Sequence, residues 1–450
     1  EILMGKYIKK IIASLFIFVI LIWNIDMINA NAYVSEVPEL NAQGVCLIDG
    51  YTGDILYEKN SDVQFEPAST TKVMTAIITL ENCSLTEQVT IGENPPYADG
   101  SSMGLQEGEV YTVEELLIGL LLPSANDAAE ALAEHVGGSV ENFAKMMTAK
   151  AHEIGAVNTT FKNPSGLHEE GHLTTAHDLA LILQYAAEYN DFVRISQIDE
   201  YYYKNHPYSD GSERWAINGN NCAPYSSYAQ YNYPEYVYDY LFTGKTGWTD
   251  EANHTYVAAA KKDSQYLIAA FLNADNKAEH YGSVGPLFDW GFENFITKKI
   301  VSLGETLDSY VINNDVTIPL TSDRDIYYTF LSTDNLSPSI TVNYAKKDYS
   351  TQTINKGDIL FENASLLVNG STYTNVNLVS AGSRIYTTSV KVEETVSYEE
   401  KVKALKGKKV LFLTGLSSLM QLKEDLGFTV VICPKQGNVN SLLKDIDSFD

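Results

Sequence analysis

Apolar and polar positions along the first two thirds of the chain predict strands, a helical middle and further strands. Two short apolar runs, at 45–48 and 55–57, flank the turn-forming run Asp49-Gly50-Tyr51-Thr52-Gly53 and predict a β-hairpin over 44–57. The run at 72–80 is apolar on most sides, as expected for a helix buried in a core. Four further segments show helical periodicity: 113–122, 127–136, 143–154 and 176–187.

The chain returns to strands after this helical middle. Residues 243–261 and 266–272 are rich in Val, Ile, Tyr and Thr, which favour strands. A short helix near Trp290-Gly291-Phe292 then closes the unit around Lys298. Strands before and after a block of helices predict an antiparallel sheet with an inserted helical subdomain, an α+β fold.

A different pattern begins near residue 307. Helical periodicity disappears up to 392, and short runs of β-branched and aromatic residues replace it, for example at 340–344 and 384–388. This predicts a separate small all-β domain. We therefore expect a first domain at 33–298, a β-rich domain at 299–396 and a tail at 397–450 to which the sequence assigns no role.

The first 32 residues have the order typical of a secretory signal. Lys6, Lys9 and Lys10 precede an apolar run at 11–23, and the small residues Ala30-Asn31-Ala32 follow. The apolar run is short for a helix that spans a bilayer. We expect residues 1–32 to direct export, with membrane association through an uncleaved segment as the alternative.

Charge and cysteine content narrow the classes of partner. The formal net charge is −27 at pH 7, and only four of the 450 residues are arginine. So acidic a chain is a poor candidate for binding nucleic acid through a basic patch. The four cysteines (Cys46, Cys83, Cys222 and Cys433) lack metal-ligand spacing, and their wide separation leads us to expect free thiols.

The most informative chemistry lies in Pro67-Ala68-Ser69-Thr70-Thr71-Lys72, at the start of the first predicted helix. Residues three apart lie on one helical face, so the Ser69 hydroxyl and the Lys72 amine can meet. A serine hydroxyl becomes a good nucleophile when a neighbouring base takes its proton, and a neutral lysine can be that base. The pair alone is weak evidence, because Ser-x-x-Lys occurs by chance in many helices.

Two further motifs give the pair its weight. Ser124 and Asn126 lie in Pro123-Ser124-Ala125-Asn126-Asp127, a turn before a predicted helix, where the same residues also serve as ordinary caps. Gly244-Lys245-Thr246-Gly247 lies on a predicted strand, where the glycines alone would indicate a bulge. Ser-x-x-Lys, Ser-x-Asn and Lys-Thr-Gly, in this order and on these elements, are together typical of β-lactamases and penicillin-binding proteins.

The likeness extends beyond the three motifs. The chain resembles the serine-type D-alanyl-D-alanine carboxypeptidases, which are low-molecular-mass penicillin-binding proteins, over about residues 34–295. The supporting segments are Gly53-Asp54-Ile55-Leu56, Pro67-Ala68-Ser69, Ser124-Ala125-Asn126-Asp127-Ala128-Ala129, Asn163-Pro164-Ser165-Gly166-Leu167 and Lys245-Thr246-Gly247-Trp248-Thr249-Asp250. The family commonly carries a β-rich domain behind the catalytic one. The resemblance thus implies a β-lactamase/transpeptidase-like catalytic domain at 33–298.

The resemblance also implies a mechanism without metal or other cofactor. Ser69 would attack the carbonyl between the two terminal D-alanines of a peptidoglycan stem peptide, with Lys72 as general base. Ser124 would relay a proton to the leaving amine, and Asn126 would hold Lys72 and the substrate backbone. Water would then release the shortened peptide. β-Lactam antibiotics would inhibit the enzyme by acylating the same serine.

The remaining motif residues would bind the terminal carboxylate of the substrate and the oxygen of the carbonyl that reacts. Lys245, Thr246 and Thr249 would hold the terminal carboxylate, while the backbone N–H groups of Ser69 and Trp248 would form the oxyanion hole beside Gly247. Relatives often add an arginine after this strand. Here no arginine occurs between 214 and 324, and His280 is our expected replacement. The tyrosine-rich segment at 201–240 is expected to be a solvated insertion, with a binding rim as the alternative.

Three competing interpretations remain at this point. His168-Glu169-Glu170-Gly171-His172 matches the zinc-peptidase signature H-E-x-x-H, but Pro164, Gly166 and Gly171 oppose the helix that this chemistry requires. A β-lactamase would need a deacylating glutamate, usually in Glu-x-x-x-Asn, and residues 163–175 lack that spacing. A non-catalytic wall-binding protein of the same fold is the third.

Overall fold

The computed structural model describes residues 35–313 and 316–386. The predicted signal at 1–32 and the tail at 397–450 lie outside these residues, as does Cys433. Within the described ranges, no helix is both long enough and apolar enough to cross a membrane. The described residues up to 350, together with 354–384, form one compact unit, to which 351–353 and 385–386 do not belong.

The described residues include nine α-helices and sixteen strands. The helices are α1 Lys72–Asn82, α2 Val113–Leu121, α3 Asn126–Gly137, α4 Val140–Glu153, α5 Ala176–Ala186, α6 Asn190–Ser196, α7 Ser227–Asn232, α8 Lys277–Gly282 and α9 Val284–Asn294. The first nine strands are β1 Gly44–Asp49, β2 Ile55–Lys59, β3 Gln88–Thr90, β4 Val110–Thr112, β5 Glu200–Tyr202, β6 Trp215–Ile217, β7 Leu241–Thr249, β8 Asn253–Lys262 and β9 Gln265–Ala274. The remaining strands are β10 Phe295–Val301, β11 Thr306–Asn313, β12 Val316–Ser322, β13 Ile326–Leu331, β14 Ile340–Asn343, β15 Ile359–Val368 and β16 Ser371–Ser380.

A five-stranded antiparallel sheet of order β2-β1-β9-β8-β7 is the centre of the first part. Successive residues of its inner strands β1, β8 and β9 are apolar. Because successive side chains alternate across a sheet, these strands supply apolar residues to both faces. Ile48 and Ile268 pack under the helices of the middle segment, whereas Leu47 and Leu267 pack under α9. Strand β7 lies at the edge, so one side of its backbone is free to face the site.

The helical subdomain contains α1 to α6, and its start and stop signals are local. A capping box between Thr112 and Glu115 begins α2. Gly138, at φ +71°, ends α3 in the left-handed conformation that glycine adopts without strain. Helix α1 is buried at its centre between α3, α4 and α5, which fixes its first turn, where Lys72 lies.

The β-rich part pairs β10 with β13 and builds a second sheet of order β11-β12-β16-β15-β14. Its core is separate from those of the first part and includes Leu320, Phe361 and Leu378. Tyr51 stacks on Tyr327 with ring centroids 4.5 Å apart. Because β10 runs through residues 298 and 299, the division between the two predicted domains falls inside a strand, and the boundaries at 298 and 396 stay predictions.

The predicted α+β architecture, with a helical subdomain in an antiparallel sheet and a following all-β region, is confirmed. The expectation of a solvated insertion at 201–240 is only partly right. Residues 209–213 are all exposed and Tyr231 is 87% exposed. Tyr203, Ala216 and Cys222, however, are fully or almost fully buried, and Arg214 is only 1% exposed. These parts are packed because Tyr203 and Tyr238 supply apolar surface to two existing cores. Cys46, Cys83 and Cys222 are free thiols, as expected.

Candidate functional site

Ser69 lies in a single 3-10 turn, Ala68–Thr71, that leads directly into α1. A 3-10 turn has three residues per turn, so side chains three apart lie almost directly above one another. The Oγ of Ser69 is consequently 2.9 Å from the Nζ of Lys72, the first residue of α1. Ser69 is partly exposed, whereas Lys72 is completely buried.

The Lys72 amine contacts three oxygens. Besides Ser69 Oγ, Nζ lies 2.7 Å from Asn126 Oδ1 and 2.7 Å from the backbone oxygen of Ser165. Burial, together with the nearby positive charge of Lys245, holds the Lys72 pKa well below its ordinary value. The lowered pKa favours the neutral form of the Lys72 amine. With two carbonyl acceptors and the Ser69 hydroxyl around it, this amine is a potential acceptor for the Ser69 proton.

The turn between α2 and α3 supplies Ser124 and Asn126. Asn126 is the first residue of α3, and its Nδ2 donates to the backbone oxygen of Asp99 at 2.6 Å, which leaves Oδ1 for Lys72. The neighbouring Asp127 carboxylate accepts the backbone N–H groups of Met103 and Leu105, both at 3.0 Å. These bonds fix both the turn and the loop that covers it.

Backbone strain is concentrated at the same place. Eight described non-glycine residues have positive φ, and six of them are Asn or Asp, which tolerate that conformation. The other two are Ala68, at +47°, and Ser124, at +63°. Ala68 directly precedes Ser69, and Ser124 itself contacts Lys245, so both strained positions lie at the serines of the motifs.

Strand β7 brings Lys245, Thr246 and Gly247 to the site. Lys245 Nζ donates to Ser124 Oγ at 2.9 Å and to the Thr246 backbone oxygen at 2.8 Å. Burial lowers the pKa of Lys245 to about 7. Gly247 permits a close approach, because a Cβ there would lie 2.8 Å from the Ser69 backbone nitrogen.

The predicted residues thus form two hydrogen-bonded groups, one of Ser69, Lys72 and Asn126 and one of Ser124 and Lys245. Gly247 places β7 against the first group. Trp248 is 57% exposed beyond it. The hydroxyl oxygen of Thr249 accepts the Ala252 backbone N–H at 3.0 Å, which places this side chain in the turn that ends β7.

Comparison with known sequences identifies the family. The model of the S11 peptidase family, described as D-alanyl-D-alanine carboxypeptidase, matches residues 31–276, more than half of the chain. The chain belongs to the D-alanyl-D-alanine carboxypeptidase family. The resemblance drawn from its motifs is therefore confirmed.

Individual members of the D-alanyl-D-alanine carboxypeptidase family agree with this assignment. DacF of Bacillus subtilis (strain 168) is 31% identical over 306 residues, which cover 66% of this chain and 75% of DacF. DacB2 of Mycobacterium tuberculosis is 32% identical over 261 residues, which cover 57% of this chain and 84% of DacB2.

Solved structures support the same fold. A D-alanyl-D-alanine carboxypeptidase from Mycobacterium tuberculosis H37Rv superposes with a TM-score of 0.52 at 32% identity, covering 58% of this chain and 94% of that protein. Penicillin binding protein 5 from Haemophilus influenzae superposes with a TM-score of 0.64 at 24% identity, covering 78% of this chain and 99% of that protein. The wider coverage of the second extends the shared fold into the β-rich part.

One further segment of this family member contacts the site, and the sequence analysis assigned it no role there. Residues Asn163-Pro164-Ser165-Gly166-Leu167 dock on α1 through the Ser165 oxygen at Lys72 and through Thr75 Oγ1, which donates to the Pro164 oxygen at 2.6 Å. A Cβ on Gly166 would lie 1.8 Å from the Ala68 oxygen. The Pro-Ser-Gly run signals a turn, but its contact with Lys72 depends on tertiary packing.

The structure gives the H-E-x-x-H histidines separate roles. Residues 162–172 are not helical, and His168 Nδ1 lies 2.8 Å from Glu66 Oε1 at the surface. His172 is buried, and its Nδ1 accepts the Lys162 backbone N–H at 3.1 Å, so its Nε2 carries the proton toward Thr71 Oγ1 at 2.9 Å. His172 thereby links the 162–172 segment to Thr71, which lies in the same 3-10 turn as Ser69.

The expectation that His280 replaces the missing arginine is wrong. His280 is completely buried on α8 among Tyr256, Phe271 and Tyr281, and neither ring nitrogen has a hydrogen-bond partner within the described structure. Burial lowers its pKa to about 3, so the ring is neutral at pH 7. A neutral, enclosed imidazole cannot hold a carboxylate.

Proposed function

We propose that this enzyme removes the terminal D-alanine from peptidoglycan stem peptides through an acyl-enzyme on Ser69. The observation that carries the proposal is the 2.9 Å contact between Ser69 Oγ and the buried Lys72 amine. A serine paired with a desolvated lysine is an activated nucleophile that needs no metal. The family assignment supplies the substrate class, since the relatives are D-alanyl-D-alanine carboxypeptidases.

The three contacts of Lys72 suit a neutral amine. The Asn126 Oδ1 and Ser165 oxygens can only accept, so they take the two N–H bonds of the neutral amine. The lone pair is then directed at Ser69, whose hydroxyl donates to it. When Ser69 attacks, its proton passes to Lys72 along this hydrogen bond, and a new C–O bond forms as the carbonyl becomes tetrahedral.

Ser124 and Lys245 complete the proton path in this proposal. Lys245 donates to the Ser124 oxygen, so the Ser124 hydroxyl proton is free to pass to the leaving amine of D-alanine. The proton held by Lys72 then replaces it. The positive charge of Lys245 also opposes a second positive charge on Lys72, which keeps Lys72 ready to accept a proton at neutral pH.

The developing oxyanion is assigned to the backbone N–H groups of Ser69 and Trp248. Strand β7 is at the sheet edge and passes so close to Ser69 that only glycine fits at 247. Two fixed N–H donors on either side of a carbonyl stabilise the charge that forms on its oxygen in the transition state. The close approach at Gly247 supports this arrangement.

The substrate carboxylate is assigned to Lys245, Thr246 and Thr249. Thr249 Oγ1 already accepts from Ala252, so its own O–H remains to donate to an incoming carboxylate. Lys245 supplies the positive charge, a role that His280 cannot take. Binding of the substrate carboxylate therefore depends on the protonation of Lys245.

Water releases the shortened peptide from Ser69 after D-alanine has left. Among the described residues, Ser69 and Lys72 have no carboxylate as a direct hydrogen-bond partner. The proposal therefore includes no water activated by a glutamate, as in class A β-lactamases. β-Lactams would acylate Ser69 and deacylate slowly. The signal-like segment at 1–32 supports action outside the cytoplasmic membrane, in the cell wall.

Release of D-alanine from a stem pentapeptide tests this function, and its pH dependence tests the carboxylate grip. The Lys245 pKa of about 7 means that its positive charge is present below pH 7 and is lost as pH rises through 7. We expect kcat/KM for the free acid to fall above pH 7. For the C-terminal amide, which carries no carboxylate, we expect a lower kcat/KM without that decline.

Chromatographic measurement of the released amine, D-alanine from the free acid and D-alaninamide from the amide, between pH 5 and 9 provides the comparison. Absence of D-alanine from the free acid at every pH would contradict the proposed function. Parallel profiles for acid and amide would instead contradict only the carboxylate-binding role assigned to Lys245.

A further inference from the structure

A second cluster of reactive side chains lies at the far end of α1 from Lys72. Cys83 directly follows α1, Glu87 precedes β3, and His135 is in the last turn of α3. The Cys83 Sγ, a Glu87 carboxylate oxygen and a His135 ring nitrogen all lie within 4.8 Å of one another. We propose that Cys83, Glu87 and His135 form a zinc-binding site.

Backbone hydrogen bonds hold Cys83 and Glu87 in place before any ion binds, and His135 is part of α3. The Cys83 N–H donates to the Thr79 oxygen at 3.0 Å, and the Glu87 N–H donates to the Ser84 oxygen at 3.1 Å. The Glu87 oxygen accepts the Val113 N–H at 2.9 Å. Metal binding would therefore lose little conformational entropy in ordering the ligands, because only side-chain torsions need to adjust.

The donor set is the one that zinc favours. Thiolate, imidazole and carboxylate are its three common protein ligands, and three protein ligands plus one water complete a tetrahedral site. Tetrahedral zinc requires separations of about 3.3–3.6 Å between donor atoms. His135 Nε2 and Glu87 Oε1, now hydrogen-bonded at 2.8 Å, would move apart by about 0.5 Å, within reach of small side-chain rotations.

Binding has a defined proton balance. In the metal-free pair the Glu87 carboxylate accepts, so His135 Nε2 carries the hydrogen. Zinc requires the Nε2 lone pair, which a neutral imidazole provides by moving its proton to Nδ1. The Cys83 thiol loses its proton to solvent as the Zn–S bond forms, so about one proton is released per zinc near neutral pH.

The cluster differs from the other described group of converging ligands. Glu66, His168 and Glu251 also lie within 4.8 Å of one another, but they offer no thiol. Oxygen-rich exposed groups of that kind bind zinc less selectively than a site with a thiolate. Zinc at Cys83 would tie the end of α1 to β3 and α3, a stabilising role separate from Ser69.

Protection of Cys83 from alkylation by zinc tests the site. Cys433 is replaced by serine, and the buried Cys46 and Cys222 are slow to react, so iodoacetamide labelling followed by mass spectrometry reports Cys83. At a zinc concentration about ten times the dissociation constant, we expect labelling to slow about tenfold. Equilibrium dialysis is expected to show one zinc that depends on Cys83.

Matched variants separate this site from unspecific binding. His135→Ala and Glu87→Gln are expected to lose the protection, whereas His168→Ala keeps it. Cooperative thermal unfolding of each variant shows that it is folded. Labelling of Cys83 that zinc leaves unchanged, or protection that survives in His135→Ala, would overturn the proposal.

Discussion

Replacing Lys72 by methionine is expected to slow acylation of Ser69 by about 10³-fold, within the range for loss of a general base. Methionine fills a similar volume but has no lone pair that can take the Ser69 proton. It also leaves the carbonyl acceptors of Asn126 and Ser165 without their donor. The second-order rate constant for acylation by a fluorescent penicillin measures the loss.

Two further variants identify the cause of that loss. Lys72→Arg keeps a donor for Asn126 and Ser165 but stays protonated, so it is expected to be nearly as slow as methionine. Lys145→Met removes an exposed lysine that pairs with Glu141 on the same helix, and we expect it to acylate at the wild-type rate. An arginine variant with near wild-type acylation would show that Lys72 acts by position instead of as a base.

Replacing Gly166 by alanine is expected to cost about 3 kcal/mol or more of folding stability and to lower acylation with it. Gly166 has φ +87°, and its Cβ would lie 1.8 Å from the Ala68 oxygen and 2.9 Å from Thr71 Oγ1. The 163–167 segment must therefore move away from the Ser69 turn. That movement withdraws the Ser165 oxygen, which is one of the two acceptors that hold Lys72.

Gly108→Ala is the matched control for this effect. Gly108 has φ +81°, but nothing lies within 4 Å of the position that its Cβ would take. It isolates the cost of a left-handed alanine, about 1–2 kcal/mol, from the cost of the clash. We expect unchanged acylation in Gly108→Ala, measured beside thermal unfolding. Equal losses in both variants would contradict the positioning role of the 163–167 segment.

Short-range chemistry was predictable because it depends on local geometry. The three-residue spacing of Ser69 and Lys72 brings their side chains together in a 3-10 turn as well as in an α-helix. The run of turn-forming residues at 123–127 predicted a turn before a helix, and α3 begins there at Asn126, although its N-cap is Ala125 and no side chain caps it. Richness in Val, Ile, Tyr and Thr located the strand that carries Lys245. Each of these signals lies within a few residues of the side chain concerned.

Contacts between segments far apart in the sequence could not be predicted from such local signals. The Ser165 oxygen reaches Lys72 across 93 positions, and a backbone carbonyl has no side-chain signature. His280 was assigned from its place in the chain, whereas its burial depends on how α8 packs on the sheet. Cys83 and His135 lie close together because α1 and α3 pack side by side, which the wide spacing of the cysteines did not indicate.

Mass spectrometry of a stem pentapeptide, incubated separately with wild-type enzyme and with Ser69→Ala, tests most directly whether Ser69 is the nucleophile. Ser84→Ala, which changes an exposed serine outside the site, is the control. We predict loss of one D-alanine with the wild type and with Ser84→Ala, and none with Ser69→Ala. Equal products from wild type and Ser69→Ala would contradict an acyl-enzyme on Ser69.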